Sequence, residues 1–177
     1  MNIRTKTRSD MIAGVFDNIR RVIQVVQGYS NRAQRVGGLT GPQLWAIRVL
    51  SESAPIRVSD LARQMYLQPS TVVGILDRLE AKGLAVRIRS KQDHRVVDVK
   101  LTGKGKAIAV RSPAVAQGLL LKGLEELSGH DLRVVSEGLK SLVGILGVQR
   151  MPPRLLFSQE VNLPGRVYGP GERDREP

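Results

Sequence analysis

The chain has 177 residues, of which 41% are apolar, and a formal net charge of +12. That length buries a real core in one medium domain or two small ones, and no apolar run is long enough to span a bilayer. Cysteine is absent, which excludes disulfides, thiolate chemistry, thiol redox sensing and cysteine-ligated zinc.

The charge is localised. Residues 1–40 carry seven cations against two anions, and residues 55–106 carry eleven against five, so nearly all the excess lies in the first 106 residues. Such a distribution favours a polyanionic partner, nucleic acid or an anionic membrane surface. The N-terminal MNIRTKTRSD has no apolar stretch of signal-peptide type behind it, so a cytoplasmic protein is expected.

Residues 10–33 place apolar side chains at 12, 15, 16, 19, 22, 23, 26 and 29, the spacing of a helix with one broad apolar face. Asp10 is its expected cap, and VGGL at 36–39 breaks it. PQLWAIRVLSES (42–53) is the next helix, with Thr40 nearby as cap and Pro42 in its first turn. Ala54–Pro55 ends it. Ile56–Arg57–Val58 reads as a short strand, and Ser59 is the expected N-cap of SDLARQM (59–65).

After Tyr66–Leu67, the helix QPSTVVGILDRLEAKG (68–83) has Pro69 in its first turn and Gly83 as its stop, with Gln68 a poor cap. LAVRIR (84–89) and VVDVKL (96–101) alternate as two strands of a hairpin. The tip between them gathers Arg89, Lys91, His94 and Arg95 around one acid, Asp93. A helical pattern resumes at Thr102 and breaks near Pro113. Ser128 with Asp131 resembles a capping box before a last amphipathic helix bearing Leu132, Val135, Leu139, Leu142, Val143 and Leu146. Residues 151–177, rich in Pro, Gly and charge, read as a tail without helix or strand period.

The order of helix, short strand, helix, tight turn, helix, strand, basic tip and strand is a winged helix-turn-helix. The expected fold is mainly α with a small β-hairpin wing. Val72, Ile75, Leu76 and Leu79 recur at helical spacing and should face the core. Ser70, Thr71, Gly74, Arg78 and Lys82 should then face outward. One such helix fits the major groove of double-stranded DNA, where hydroxyls reach base edges or phosphates. Gly74 removes a side chain where the helix would approach the groove floor.

The wing tip should reach the flanking backbone and the next minor groove, where a narrow groove attracts arginine. Arg95 is the candidate for insertion, with Asp93 bracing it. Arg89 and Lys91 are candidates for phosphate contact. The bland alternative is a charged, solvated hairpin.

Residues 59–108 resemble the MarR family of bacterial transcriptional regulators through LARQM, PSTVVGILDRLEAKGL, the D-x-R tip Asp93–His94–Arg95 and VKLTGKGKA. The resemblance extends more weakly over residues 10–149. It implies a homodimer in which the first helix and the last two interlock, each subunit presenting one winged helix to a half-site. It also implies a small aromatic or anionic effector bound near the junction of dimerisation and DNA-binding parts. Tyr29, Arg32, Trp45 and Arg48 are the candidates for that pocket, with Trp45 better suited to the core and Arg32 and Arg48 to the surface. The expected division is a dimerisation helix (1–40), a winged helix-turn-helix (41–106), C-terminal dimerisation helices (107–150) and the tail (151–177).

The chain departs from the family pattern in the middle of the recognition helix. Many members have Thr-Arg where this chain has Val73–Gly74, so a base-reading arginine is missing. Val73 is a candidate for contact with a thymine methyl, and Gln68 lies at the helix start. Tyr66 stands at a turn where a small residue is common.

The two histidines, His94 and His130, are far apart, so no metal site is expected. No nucleophile motif is present, and Gly103 and Gly105 flank a lysine at a helix start rather than forming a nucleotide cradle. That segment is expected to face DNA backbone. Neither a cofactor nor an enzyme activity is expected. The reading is a homodimeric, sequence-specific transcriptional regulator, most simply a repressor. Its rivals are a low-specificity architectural or anti-silencing DNA binder and a winged-helix protein-interaction module.

Overall fold

The computed structural model describes residues 7–89, 97–112 and 115–155. In chain order these form α1 (Arg8–Arg35), α2 (Gly41–Ser53), β1 (Ile56–Arg57), α3 (Val58–Gln64), α4 (Pro69–Ala81), β2 (Ala85–Arg89), β3 (Val97–Leu101), α5 (Gly103–Arg111), α6 (Ala116–Glu125) and α7 (Gly129–Ile145). The architecture is mainly helical, with one small antiparallel sheet ordered β1-β3-β2.

Helix starts follow local hydrogen-bond chemistry. At α2, Thr40 accepts from the Gln43 amide while the Gln43 side chain accepts from the Thr40 amide. At α7 the Ser128 hydroxyl accepts from the Asp131 amide and donates to its carboxylate. Two expected caps are corrected. The N-cap of α1 is Thr7, and Asp10 is the reciprocal third residue of a capping box, so the helix begins a little earlier than its apolar stripe suggests. The Thr7 amide, and secondarily its hydroxyl, hold the Asp10 carboxyl below the ordinary carboxylate range.

Ser59 is not a cap either. Pairing of Ile56 with Val99 and Arg57 with Asp98 ends β1 at Arg57, which turns directly into α3. Val58 therefore lies in a helix, and Arg57 is an N-cap without a side-chain bond.

The core wraps around α2, which packs against α1, α3, α4, α5, α6 and β3. Leu44, Ala46, Ile47 and Leu50 of α2 meet Leu61, Ile75, Leu76 and Val99, all essentially inaccessible. Each of these leucine, isoleucine and valine side chains stabilises the fold by about 1.5–3 kcal/mol. α7 is different: none of its residues is buried. In α1, Met11, Ile12, Val15, Phe16, Val22 and Ile23 are also exposed.

Candidate nucleic-acid interface

α3 and α4 meet through a tight turn. The Tyr66 amide bonds to the Arg63 carbonyl and the Leu67 amide to the Ala62 carbonyl, the paired bonds of a Schellman ending. Such an ending needs a left-handed residue, and Tyr66 takes that place at φ +53°. A β-carbon there costs about 1–2 kcal/mol. The turn is held from outside too, by the Tyr66 hydroxyl donating to Glu125 Oε1 of α6 at 3.1 Å. The same ending closes α4, where glycine occupies the left-handed site: Gly83 has φ +68°, and the Leu84 amide returns to the Leu79 carbonyl at 2.8 Å.

Val72, Ile75, Leu76 and Leu79 bury one face of α4. Ser70, Val73 and Arg78 are exposed on the other, with Gly74 between them and Lys82 just beyond the helix end. Thr71 is corrected: it is only 7% exposed. It precedes Ile75 by one turn and so falls on the core stripe. Gln68 is half-buried at the N-cap.

Arg87 ties the wing to this helix. Its guanidinium pairs with Asp77 at 2.8 Å and with Glu80, and its backbone amide donates to Glu80 Oε1 at 2.8 Å. The arginine side chain is 29% exposed. It bridges two carboxylates of α4 and offsets one of their two negative charges. None of the three was singled out in the sequence. Their only signal is acids three residues apart on α4 facing a strand that follows, and that relation is tertiary.

The far end of α4 is also anchored. Lys82 Nζ donates to the Gly38 carbonyl at 3.2 Å, and Lys104 Nζ donates to the Lys82 carbonyl at 3.2 Å, cations serving a helix C-terminus. Thr102 Oγ1 donates to the Gly83 carbonyl at 2.7 Å and accepts from the Gly105 amide at 3.1 Å. Gly105 is therefore corrected: it is buried, not turned to solvent. A β-carbon there would lie 2.0 Å from the Leu84 carbonyl oxygen. Lys104 and Lys106 beside it are exposed.

β2 and β3 pair from Ala85–Leu101 to Arg89–Val97. Arg89 is exposed at the outer end of β2. Lys91, Asp93 and Arg95 lie outside the described residues.

The four effector-pocket candidates separate. Trp45 and Arg48 line a groove of about 660 Å³ between α2 and α6, with Glu52, Gln64, Lys122 and Glu125. Trp45 is only 8% exposed, so most of it is core. Arg48 pairs with Glu52 at 2.9 Å. Tyr29 lines a different hollow with Val22, Val25 and Leu120. The Arg32 guanidinium lies 5.6 Å from the Tyr29 ring centre, a cation–π contact, and is not part of the groove. Among the described residues there is no cluster of three or more metal-ligating side chains, and no helix long and apolar enough to cross a membrane.

A supporting helix, a tight turn, an outward-facing second helix and a strand pair locked to it define a winged helix-turn-helix protein. A model of the MarR family matches residues 39–97. An organic hydroperoxide resistance transcriptional regulator of Bacillus subtilis is 32% identical over 108 residues, covering 61% of this chain and 72% of that relative. The HTH-type transcriptional repressor MdtR of the same organism is 28% identical over 127 residues, covering 69% and 82%. The solved structure of YusO from Bacillus subtilis superposes with a TM-score of 0.50 at 24% identity, covering 78% of this chain and 99% of that one; it bears on the fold alone. The chain belongs to the MarR family. It is a DNA-binding transcriptional regulator rather than an enzyme.

Proposed function

We propose that the protein is a homodimeric, sequence-specific repressor acting in the cytoplasm on an inverted-repeat operator. In this reading residues 41–106 are the DNA-binding unit, residues 1–40 and 107–150 are the dimerisation arms, and residues 151–177 are an appended tail. One observation carries it: α4 has an outward face free of core packing, while α1 and α7 leave large apolar side chains exposed along their length. A 17-residue helix with no buried residue is marginal alone in water and needs a packing surface. A second copy supplies one, and two-fold symmetry then sets two recognition helices about one DNA turn, ~10 base pairs, apart.

Ser70, Val73, Gly74 and Arg78 meet the major groove, with Gln68 and Thr71 supporting the helix start. Lys82, Arg89 and Lys91 meet phosphates, and Arg95, braced by Asp93, enters the minor groove. The repressor sign is supported by the name of the MdtR relative. The effector is a small aromatic or anionic molecule in the α2–α6 groove, against Trp45 and Arg48, with Tyr29 and Arg32 outside its direct contacts. With no cysteine in the chain, release by thiol oxidation is not available.

The replacement of the family's central arginine by Val73–Gly74 favours a second reading, a low-specificity architectural binder. A footprinting titration against the protein's own upstream DNA, at two salt concentrations and with excess competitor, separates the two. A protected inverted repeat that survives competitor, weakens steeply with salt and loses about 1–3 kcal/mol on Arg95→Ala supports the repressor. Binding that vanishes under competitor supports the architectural protein. No binding at either salt leaves a protein-interaction module.

A further inference from the structure

The outward face of α4 has an uncharged centre. Its N-terminal end carries Ser70, its C-terminal end carries Arg78, and the acid between them, Asp77, is held by Arg87. At the middle stands Val73, 39% exposed on a helix whose other valine, isoleucine and leucine side chains are buried. Beside it is Gly74. Glycine inside a helix is unfavourable relative to alanine, and a glycine is normally retained where a neighbour leaves no room for a β-carbon. Here a β-carbon would meet nothing within 4 Å. No contact within the described chain explains either residue; the same is true of Gly14, Gly28, Gly123 and Gly138, and what distinguishes Val73 and Gly74 is their place together at the centre of the outward face of α4.

Resting on the groove-reading role proposed above, the geometry points to Val73 and Gly74 as the specificity-determining pair, recognising a thymine 5-methyl group near the centre of each half-site. The thymine methyl is the one apolar feature that base pairs present in the major groove. The valine branch covers it, and the missing side chain at Gly74 lets the helix backbone sink far enough for contact. Arginine in this place would select guanine through a bidentate bond; this chain instead selects A·T pairs there by their shape and apolar surface.

The test starts with the full 177-residue chain and selection from a random duplex library under competitor. Each thymine of the selected half-site is then replaced by deoxyuridine, which removes only the methyl. At one thymine per half-site the replacement weakens binding by about fourfold, the equivalent of losing one buried methyl contact. Both half-sites together lose about 15-fold on the same basis. In Val73→Ala that penalty falls below about twofold, while the salt dependence set by phosphate contacts is unchanged. Gly74→Ala raises the melting temperature yet weakens specific binding by at least about tenfold, a combination that a purely structural glycine does not produce.

A selected site insensitive to deoxyuridine overturns the inference and leaves the repressor reading standing. So does an undiminished penalty in Val73→Ala, or full affinity in Gly74→Ala. Failure to enrich any sequence overturns both.

Discussion

Gly105→Ala is the substitution that tests the architecture of the wing base most directly. The added β-carbon would lie 2.0 Å from the Leu84 carbonyl oxygen, 3.0 Å from its carbon and 3.3 Å from Leu101 Cβ. Contacts to a β-carbon do not form below 3.0 Å, so the α4–β2 junction or the start of α5 must retreat by about 1 Å, a backbone displacement of the overpacking kind. That oxygen is already engaged, accepting from the Thr102 amide at 3.0 Å and its hydroxyl at 3.3 Å. Overpacking costs about 1–3 kcal/mol, and a weakened backbone bond adds about 0.5–1.5 kcal/mol. The better helix propensity of alanine offsets at most about 1 kcal/mol. The net expectation is a loss of about 2–3 kcal/mol, or roughly 4–12 °C in melting temperature for a chain of this size. Thermal and urea unfolding followed by circular dichroism measure it. Gly103→Ala is the internal control, because a β-carbon there meets nothing within 4 Å, and it should leave stability unchanged or slightly raised. If Gly105→Ala melts with the parent, the close packing of α5 on Leu84 is wrong.

Arg87→Ala leaves Asp77 and Glu80 uncompensated beside DNA. We expect a stability loss of about 1.5–3 kcal/mol, as for hydrogen bonds to charged groups, and an affinity loss at least partly restored by adding Asp77→Asn and Glu80→Gln; fluorescence anisotropy against operator DNA reads the second effect. Leu139→Asp, at a position 58% exposed on α7, should shift the protein from dimer to monomer in analytical ultracentrifugation, since burying a leucine contributes about 1.5–3 kcal/mol. An unchanged dimer would remove this face from the interface. The capping box of α1 should respond to acid. Because the Asp10 carboxyl titrates below its ordinary 3.8 in the folded chain, its contribution is complete above that value and is lost as pH falls through the lowered one. Amide protection factors in the first turn of α1, exchange rates normalised to the intrinsic rate at each pH, should therefore fall at low pH in the parent, and should already be low and lack this pH step in Asp10→Asn.

The sequence alone determined the order of elements, because each rests on relations a few residues apart. The 3.6-residue recurrence of Val72, Ile75, Leu76 and Leu79 and the two-residue alternation in 84–89 and 96–101 are visible without a partner. So are Thr40 three residues before Gln43, and Gly83 at a helix end. The motifs PSTVVGILDRLEAKGL and VKLTGKGKA were sufficient to place the family. Errors arose where two periodic signals overlapped. Thr71 is polar yet belongs to the core stripe, since position one turn before Ile75 outweighs its hydroxyl. Val58 is β-branched yet opens α3, since pairing with β3 ends the strand at Arg57.

Tertiary structure decided what distant segments do together. The bracket of Arg87 on Asp77 and Glu80, the Tyr66 hydroxyl on Glu125 fifty-nine residues away, and the chain of Lys104, Lys82 and Gly38 each join elements whose separation in sequence carries no period. Gly105 and Gly74 are the sharpest contrast. In sequence each is a glycine in a helical stretch. In space one is pressed against a carbonyl within its own chain, while the other faces open space. A local pattern records which side of an element is apolar, but only packing determines what, if anything, that side meets.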